Sequence, residues 1–181
     1  MTADANRHVS PWRLAGWGTA AALILLPLIA MRFTDEVAWT ASDFVFAILL
    51  IGGVGIAYEL VVGMTGNAAY RATVAVALLT GFLIVWSNLA VGIIGDEGNP
   101  ANLAFFGILA IAITGAFLAR LRPEGMARAL FATAFAQLLV SAVALIAHMD
   151  LPVGIAIFFV GMWLVSGLLF RAAARSDFMR R

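Results

Sequence analysis

The chain of 181 residues is 64% hydrophobic and 12% charged, with a mean hydropathy of +1.02 and a formal net charge of +1. A soluble domain of this length is closer to half apolar and about a quarter charged, so the composition excludes a water-soluble globule and indicates an integral membrane protein. The absence of cysteine removes disulfides, thiolate metal sites and cysteine nucleophiles, and the absence of lysine removes a retinal Schiff base.

A helix needs roughly 20 mostly apolar residues to cross the hydrocarbon core. Six stretches qualify: 13–31, 43–62, 71–94, 102–121, 126–148 and 152–171. Strands of a membrane barrel alternate apolar and polar residues with period two, whereas these runs are apolar throughout. The expected fold is therefore an all-α membrane protein, a six-transmembrane-helix bundle with short loops, forming one transmembrane domain over 1–181. Pro27 lies inside the first span and is expected to kink it. That span ends on Leu28-Ile29-Ala30, a poor cleavage site, so it is expected to stay as a helix rather than leave as a signal peptide.

Thr40 and Ser42 precede the second span, with Asp43 at capping-box spacing from Thr40. Gly63 to Gly66 break the chain, and Asn67 is placed to cap the third helix. Asn99 and Pro100 read as the N-cap and first helical residue of the fourth. Pro123 with Glu124 opens the fifth, and Asp150 with Pro152 the sixth.

Six spans put both termini on one side. Arg7, Arg13, Arg71, Arg120, Arg122, Arg128, Arg171, Arg175, Arg180 and Arg181 fall on that side, and only Arg32 on the other. Cytoplasmic loops carry the excess of basic residues, which predicts N-in and C-in. The opposite face is acidic, with Asp35, Glu36, Asp43, Asp96, Glu97 and Asp150. Trp12 and Trp17 at the inner end and Trp39 and Trp86 toward the outer end fit interfacial belts. Trp163 lies mid-span and reads as core or lipid contact.

The stretch NLAVGIIGDEGNPAN, Asn88 to Asn102, turns the chain on the acidic face. Gly, Asp and Asn tolerate the backbone angles of such a turn. Asp96, Glu97, Asn99 and Asn102 also offer the oxygen donors of a calcium site, though without EF-hand alternation. Within the spans, strongly polar residues are candidates for function. Glu59 lies four residues before Gly63 and Arg71 four after Asn67, so the two are expected at similar depth as an ion pair. Proton or cation coupling through Glu59 is the functional alternative.

Thr133, Gln137, Ser141, Ala144 and His148 form one stripe on the fifth helix. Thr73, Ala77, Thr80 and Ser87, with Asn88 at the edge, form a looser one on the third. Gly52, Gly55 and Glu59 share a face of the second helix, and Gly107, Ala110 and Thr114 one of the fourth. Such faces suit close helix packing and interhelical hydrogen bonds. The alternative is a narrow polar seam between the third and fifth helices, from His148 and Asn88 through Gln137 toward Glu59 and Arg71.

The two histidines, His8 and His148, fall on opposite faces, which excludes a three-histidine zinc centre and a bis-histidine haem. No catalytic constellation and no cofactor are expected. The glycines of Gly52-Gly53-Val54-Gly55 lie inside a span and are not a phosphate loop. A membrane-embedded enzyme has only His148 beside Asp150 on the acidic face to rest on, and two function classes stand ahead of it. One is a non-catalytic accessory or structural subunit, in contact with membrane lipid and with other membrane-protein subunits or itself as a homo-oligomer. The other is a small-solute, proton or ion transporter or channel using the polar seam. Nothing points to nucleic acid.

The stretch from Trp86 to Asn102 and the stretch Arg122-Pro123-Glu124-Gly125-Met126-Ala127-Arg128-Ala129-Leu130-Phe131-Ala132-Thr133 resemble a group of small bacterial inner-membrane proteins. That resemblance implies a multi-pass protein of the bacterial inner membrane. It implies no activity, cofactor or site.

Overall fold

The structure is a computed structural model that describes residues 11–178. Arg7, His8, Arg180, Arg181 and the side chain of Trp12 lie outside the described residues. Within them the chain is all-α: α1 (Pro11–Ala30), α2 (Ala41–Met64), α3 (Ala68–Ala90), α4 (Leu103–Leu118), α5 (Pro123–Ile146) and α6 (Val153–Phe178), with a 3-10 turn over Pro100–Asn102 leading into α4. All six helices are long and apolar enough to cross a membrane.

The helix ends follow local chemistry. Asn67 caps α3, its Oδ1 accepting from the N–H groups of Ala69 (2.9 Å) and Tyr70 (3.2 Å). Asp43 accepts from the Thr40 N–H at 2.7 Å, the reciprocal half of a capping box. Asn99 caps the 3-10 turn through the Ala101 N–H, with Pro100 at its first position. The third helix stops at Ala90 rather than 94, because Gly92 (φ +76°) and Gly95 (φ +67°) turn the backbone into the left-handed region. A Cβ on Gly92 would sit 2.3 Å from the Asp96 carbonyl, so the turn accepts no side chain there.

The chain divides into two compact units, residues 1–59 and 60–181, where one domain was expected; the division falls inside α2. In the first unit, α1 and α2 meet at few points. The Trp17 ring covers Gly55, where a Cβ would lie 3.0 Å from a ring carbon. One helical turn along, Arg13 Nε donates to Glu59 Oε1 at 2.8 Å and Arg13 Nη2 meets Oε2, a two-pronged charge-assisted contact. Leu14, Leu23, Leu25, Leu26 and Ile29 stand exposed along α1, as lipid-facing residues do.

In the second unit α3–α6 form a four-helix bundle: α3 packs on α4 and α6, and α5 packs on the same two. Ile84, Phe105, Ile108, Phe159, Trp163 and Phe170 are buried in its core. Tyr70 meets Phe170 edge to face at 5.2 Å. Lipid tails are as apolar as leucine, so helices in a membrane associate through close packing rather than through the hydrophobic effect.

Glycines bring the start of α5 close to the end of α4. A Cβ on Gly115 would lie 2.6 Å from Ala129 Cβ, and one on Gly125 would lie 2.7 Å from Ala119 Cβ. Gly115 and Ala119 are one turn apart on α4, as are Gly125 and Ala129 on α5, so two small-residue ladders face each other. Placing a larger side chain in this contact is expected to cost about 1–3 kcal/mol. Gly115→Val should lower stability by that amount in SDS unfolding from mixed micelles. Gly53→Val, where the added carbon meets nothing within 4 Å, should change it by less than about 0.5 kcal/mol.

Candidate functional site

The polar residues of the expected seam separate into three groups. The first belongs to helix ends. Arg71 does not pair with Glu59, whose carboxylate is taken by Arg13. The Arg71 guanidinium instead donates to the backbone carbonyls of Thr65 (2.9 and 2.6 Å) and Val62 (3.1 Å). It thereby satisfies orphan carbonyls at the end of α2, where the helix dipole favours a cation. Each of the two residues is thus engaged within its own unit, Glu59 by Arg13 and Arg71 by the carbonyls of Thr65 and Val62.

His148 also leaves the stripe. The fifth helix ends at Ile146, and His148 follows in the left-handed region at φ +52°. Its N–H reaches Leu145 O (3.1 Å) while Met149 N–H reaches Ala144 O (2.9 Å), the Schellman pair that closes a helix C-terminus. The side chain is exposed rather than aligned with Gln137. Spacing alone missed this because the stripe calculation carries helical geometry two residues too far.

The second group builds the turn on the acidic face. Asn102 is buried, and its Oδ1 accepts from the N–H groups of Ile93 (3.1 Å) and Ile94 (2.9 Å). Its Nδ2 donates to the carbonyls of Asp96 (2.7 Å) and Ile94 (3.3 Å). Asp96 Oδ1 accepts from Gly98 N–H at 3.0 Å. The Gly95 N–H then donates to Asp150 O at 2.7 Å, tying this turn to the one between α5 and α6. The side-chain oxygens of Asp96, Asn99 and Asn102 are thus engaged by backbone donors, and Glu97 is exposed. These contacts are those of the turn itself. No cluster of three or more His, Asp or Glu occurs among the described residues.

The third group is the interior of α3–α6. Thr73, Thr80 and Asn88 lie on the buried face of α3, with Ser87 half-buried at its edge. Thr133, Gln137, Ser141 and Ala144 lie on the buried face of α5. Ser166 and Trp163, buried on α6, complete it. The threonine hydroxyls are satisfied on their own helices: Thr73 donates to Ala69 O (2.8 Å), Thr80 to Val76 O (2.7 Å) and Thr133 to Ala129 O (2.9 Å). Ser166 donates across helices to Thr73 O at 3.3 Å.

Four side chains remain unsatisfied by the protein. Gln137 is fully buried, at 0% exposure, and neither Oε1 nor Nε2 has a partner. Ser141 Oγ, one turn along, has none, nor does Trp163 Nε1. Asn88 donates to Ile84 O at 2.9 Å but leaves Oδ1 unmatched. The Phe131 ring lies on Gly167 and sets the register of the antiparallel α5 and α6. Six residues along each helix, Gln137 is level with Gly161 and within one turn of Trp163. The interior therefore holds donors and acceptors at neighbouring depths, all uncharged.

No family model matches the chain, and no curated protein or solved structure matches it either.

Sequence pattern located Gln137, Ser141 and Asn88, but not Trp163, whose indole N–H is unremarkable until α6 is seen against α5. Removing the Asn102 side chain strands two N–H groups on residues that are 1% exposed. Asn102→Ala is expected to lower stability by about 2–4 kcal/mol, read by SDS unfolding, and added calcium should not restore it.

Proposed function

We propose that this integral membrane protein holds or conducts a small uncharged hydrogen-bonding solute, water included, along the interior of α3–α6, without catalysis. The observation that carries the reading is Gln137, a fully buried amide with both ends unpartnered in the protein. Each such donor or acceptor costs about 1–3 kcal/mol, and a leucine would fill similar volume without that cost. Ser141 Oγ, Trp163 Nε1 and Asn88 Oδ1 are also unmatched in this interior, so it offers both donors and acceptors to such a solute. No charged side chain is among the buried residues described, which favours neutral cargo over ions. Glu59 is paired with Arg13 within its own unit, and the reading does not call on it. The arginine bias supports N-in and C-in, and the resemblance to small bacterial membrane proteins supports an inner-membrane location.

Reconstituted in liposomes, the protein is expected to raise permeability to water, or to neutral solutes of urea to glycerol size, in stopped-flow light scattering. Gln137→Leu should abolish that increase while stability in SDS unfolding holds or rises by about 1–3 kcal/mol. A stability loss of about 0.6–2 kcal/mol with permeability intact is the signature of packing and sinks the reading.

A second reading, a structural homo-oligomer, is favoured by one face of α4. Gly107, Ala110 and Thr114 point away from the side that packs Phe105, Ile108 and Gly115, and all three are exposed. Small residues on one helix face are what close approach of a second helix requires. The chain lacks cysteine, so a single Gly107→Cys gives a clean probe. Oxidation in native membranes is expected to yield a cross-linked dimer, whereas Gly115→Cys, inside the α4–α5 contact, should not. A Gly107→Cys chain that stays monomeric overturns this reading.

A further inference from the structure

The arginine-rich end of α3–α6 holds two adjoining cavities, of about 1040 and 640 Å³, with Glu124, Arg128 and Ala174 on the walls of both. Arg122 also lines the larger, and Arg171 and Arg175 line the smaller. Four arginines, from the start of α5 and the last turns of α6, therefore line the two. The acid among the lining residues is Glu124. Its Oε2 stands 3.9 Å from Arg128 Nη2, with the two side chains 77% and 81% exposed, and an exposed pair of that kind contributes little. Arg122 and Arg171 have no carboxylate partner among the described residues.

The depth of the cavities says what such a charge meets. The membrane-spanning part of α4 ends at Leu118, that of α5 begins at Pro123, and that of α6 ends at Arg175. The cavities thus sit where hydrocarbon gives way to headgroups. Their walls toward the membrane are small or apolar, with Gly115, Ala119 and Ala129 in one and Phe131 in the other. Phe117 and Leu118 are 78% and 80% exposed beside them. All the cations are arginine, whose planar fork matches two phosphate oxygens at once. Basic pockets between helices at this level suit anionic lipid headgroups.

We infer that these cavities bind the phosphate headgroup of an anionic phospholipid, with its acyl chains lying along the exposed apolar surface of α4. The four arginines select negative charge, and the apolar flank selects a lipid over free phosphate. This site is separate from the interior seam and does not depend on what the seam holds.

The test uses the full chain purified in a neutral detergent. Native mass spectrometry with added phosphatidylglycerol or phosphatidylcholine is expected to show retention of the anionic lipid at least tenfold over the neutral one, weakening as salt rises. Arg128→Gln with Arg171→Gln should weaken retention by roughly fivefold per arginine removed, and Arg32→Gln should leave it unchanged. Equal retention of the two lipids overturns the proposal. So does inorganic phosphate that raises the melting temperature as far as the lipid does, since the site would then read free phosphate. If the double variant does not fold, the lipid comparison, the salt series and the phosphate competition on the unaltered chain still decide.

Discussion

Within hydrocarbon no water completes a dangling N–H or C=O, and each one left open costs several kcal/mol. The turns of this protein answer that constraint with side chains placed for the purpose. Asn102 covers the N–H groups of Ile93 and Ile94 after α3, Arg71 covers carbonyls at the end of α2, and the Tyr70 hydroxyl donates to the Leu121 carbonyl in the α4–α5 turn. That last turn runs through the left-handed region at Arg120 and Leu121, which is costly for side-chain-bearing residues. The tyrosine, reaching over from α3, holds it. With the turns fixed, the helices are presented in register, and Gly115, Ala119, Gly125 and Ala129 can bring α4 and α5 together.

Against this background the bundle interior divides into two treatments of the same chemistry. Asn102 and Gln137 are both buried carboxamides. Every polar atom of Asn102 is used, in two accepted and two donated contacts, and the result is a rigid turn. Neither side-chain polar atom of Gln137 is used within the protein. Thr73, Thr80 and Thr133 satisfy their hydroxyls by back-bonding, and an apolar residue at position 137 would leave no polar side-chain atom to satisfy. That contrast, more than the polarity of the stripe, is what supports the binding role proposed for Gln137.

The six helices were legible because span length and apolarity are properties of each segment alone, and Asn67, Asn99 and Pro100 marked helix starts by chemistry that is local too. Asn88, Gln137 and Ser141 were legible as interior residues because the 3.6-residue period carries facing information. Partners were not. Glu59 lies close to Arg71 along the chain, yet its partner is Arg13, from the far end of another helix. The tight ladder of α4 was sought at Gly107, Ala110 and Thr114. It is instead Gly115 with Ala119, since both stripes are small-residue faces and only the neighbouring helix decides which one is used. His148 failed for a different reason: a left-handed residue that ends a helix has no marker when it is not glycine.

The link from Gly95 N–H to Asp150 O joins the loops at the acidic end, while Tyr70 and Leu121 join α3 to the turn at the arginine-rich end. These two links oppose a swing of one pair of helices against the other, a motion of the microsecond-to-millisecond scale. For the solute proposed to occupy the interior, exchange with either surface then falls to local events, a rotamer change at Gln137 or Asn88 or the breathing of a single turn. The proposed passage is gated one side chain at a time.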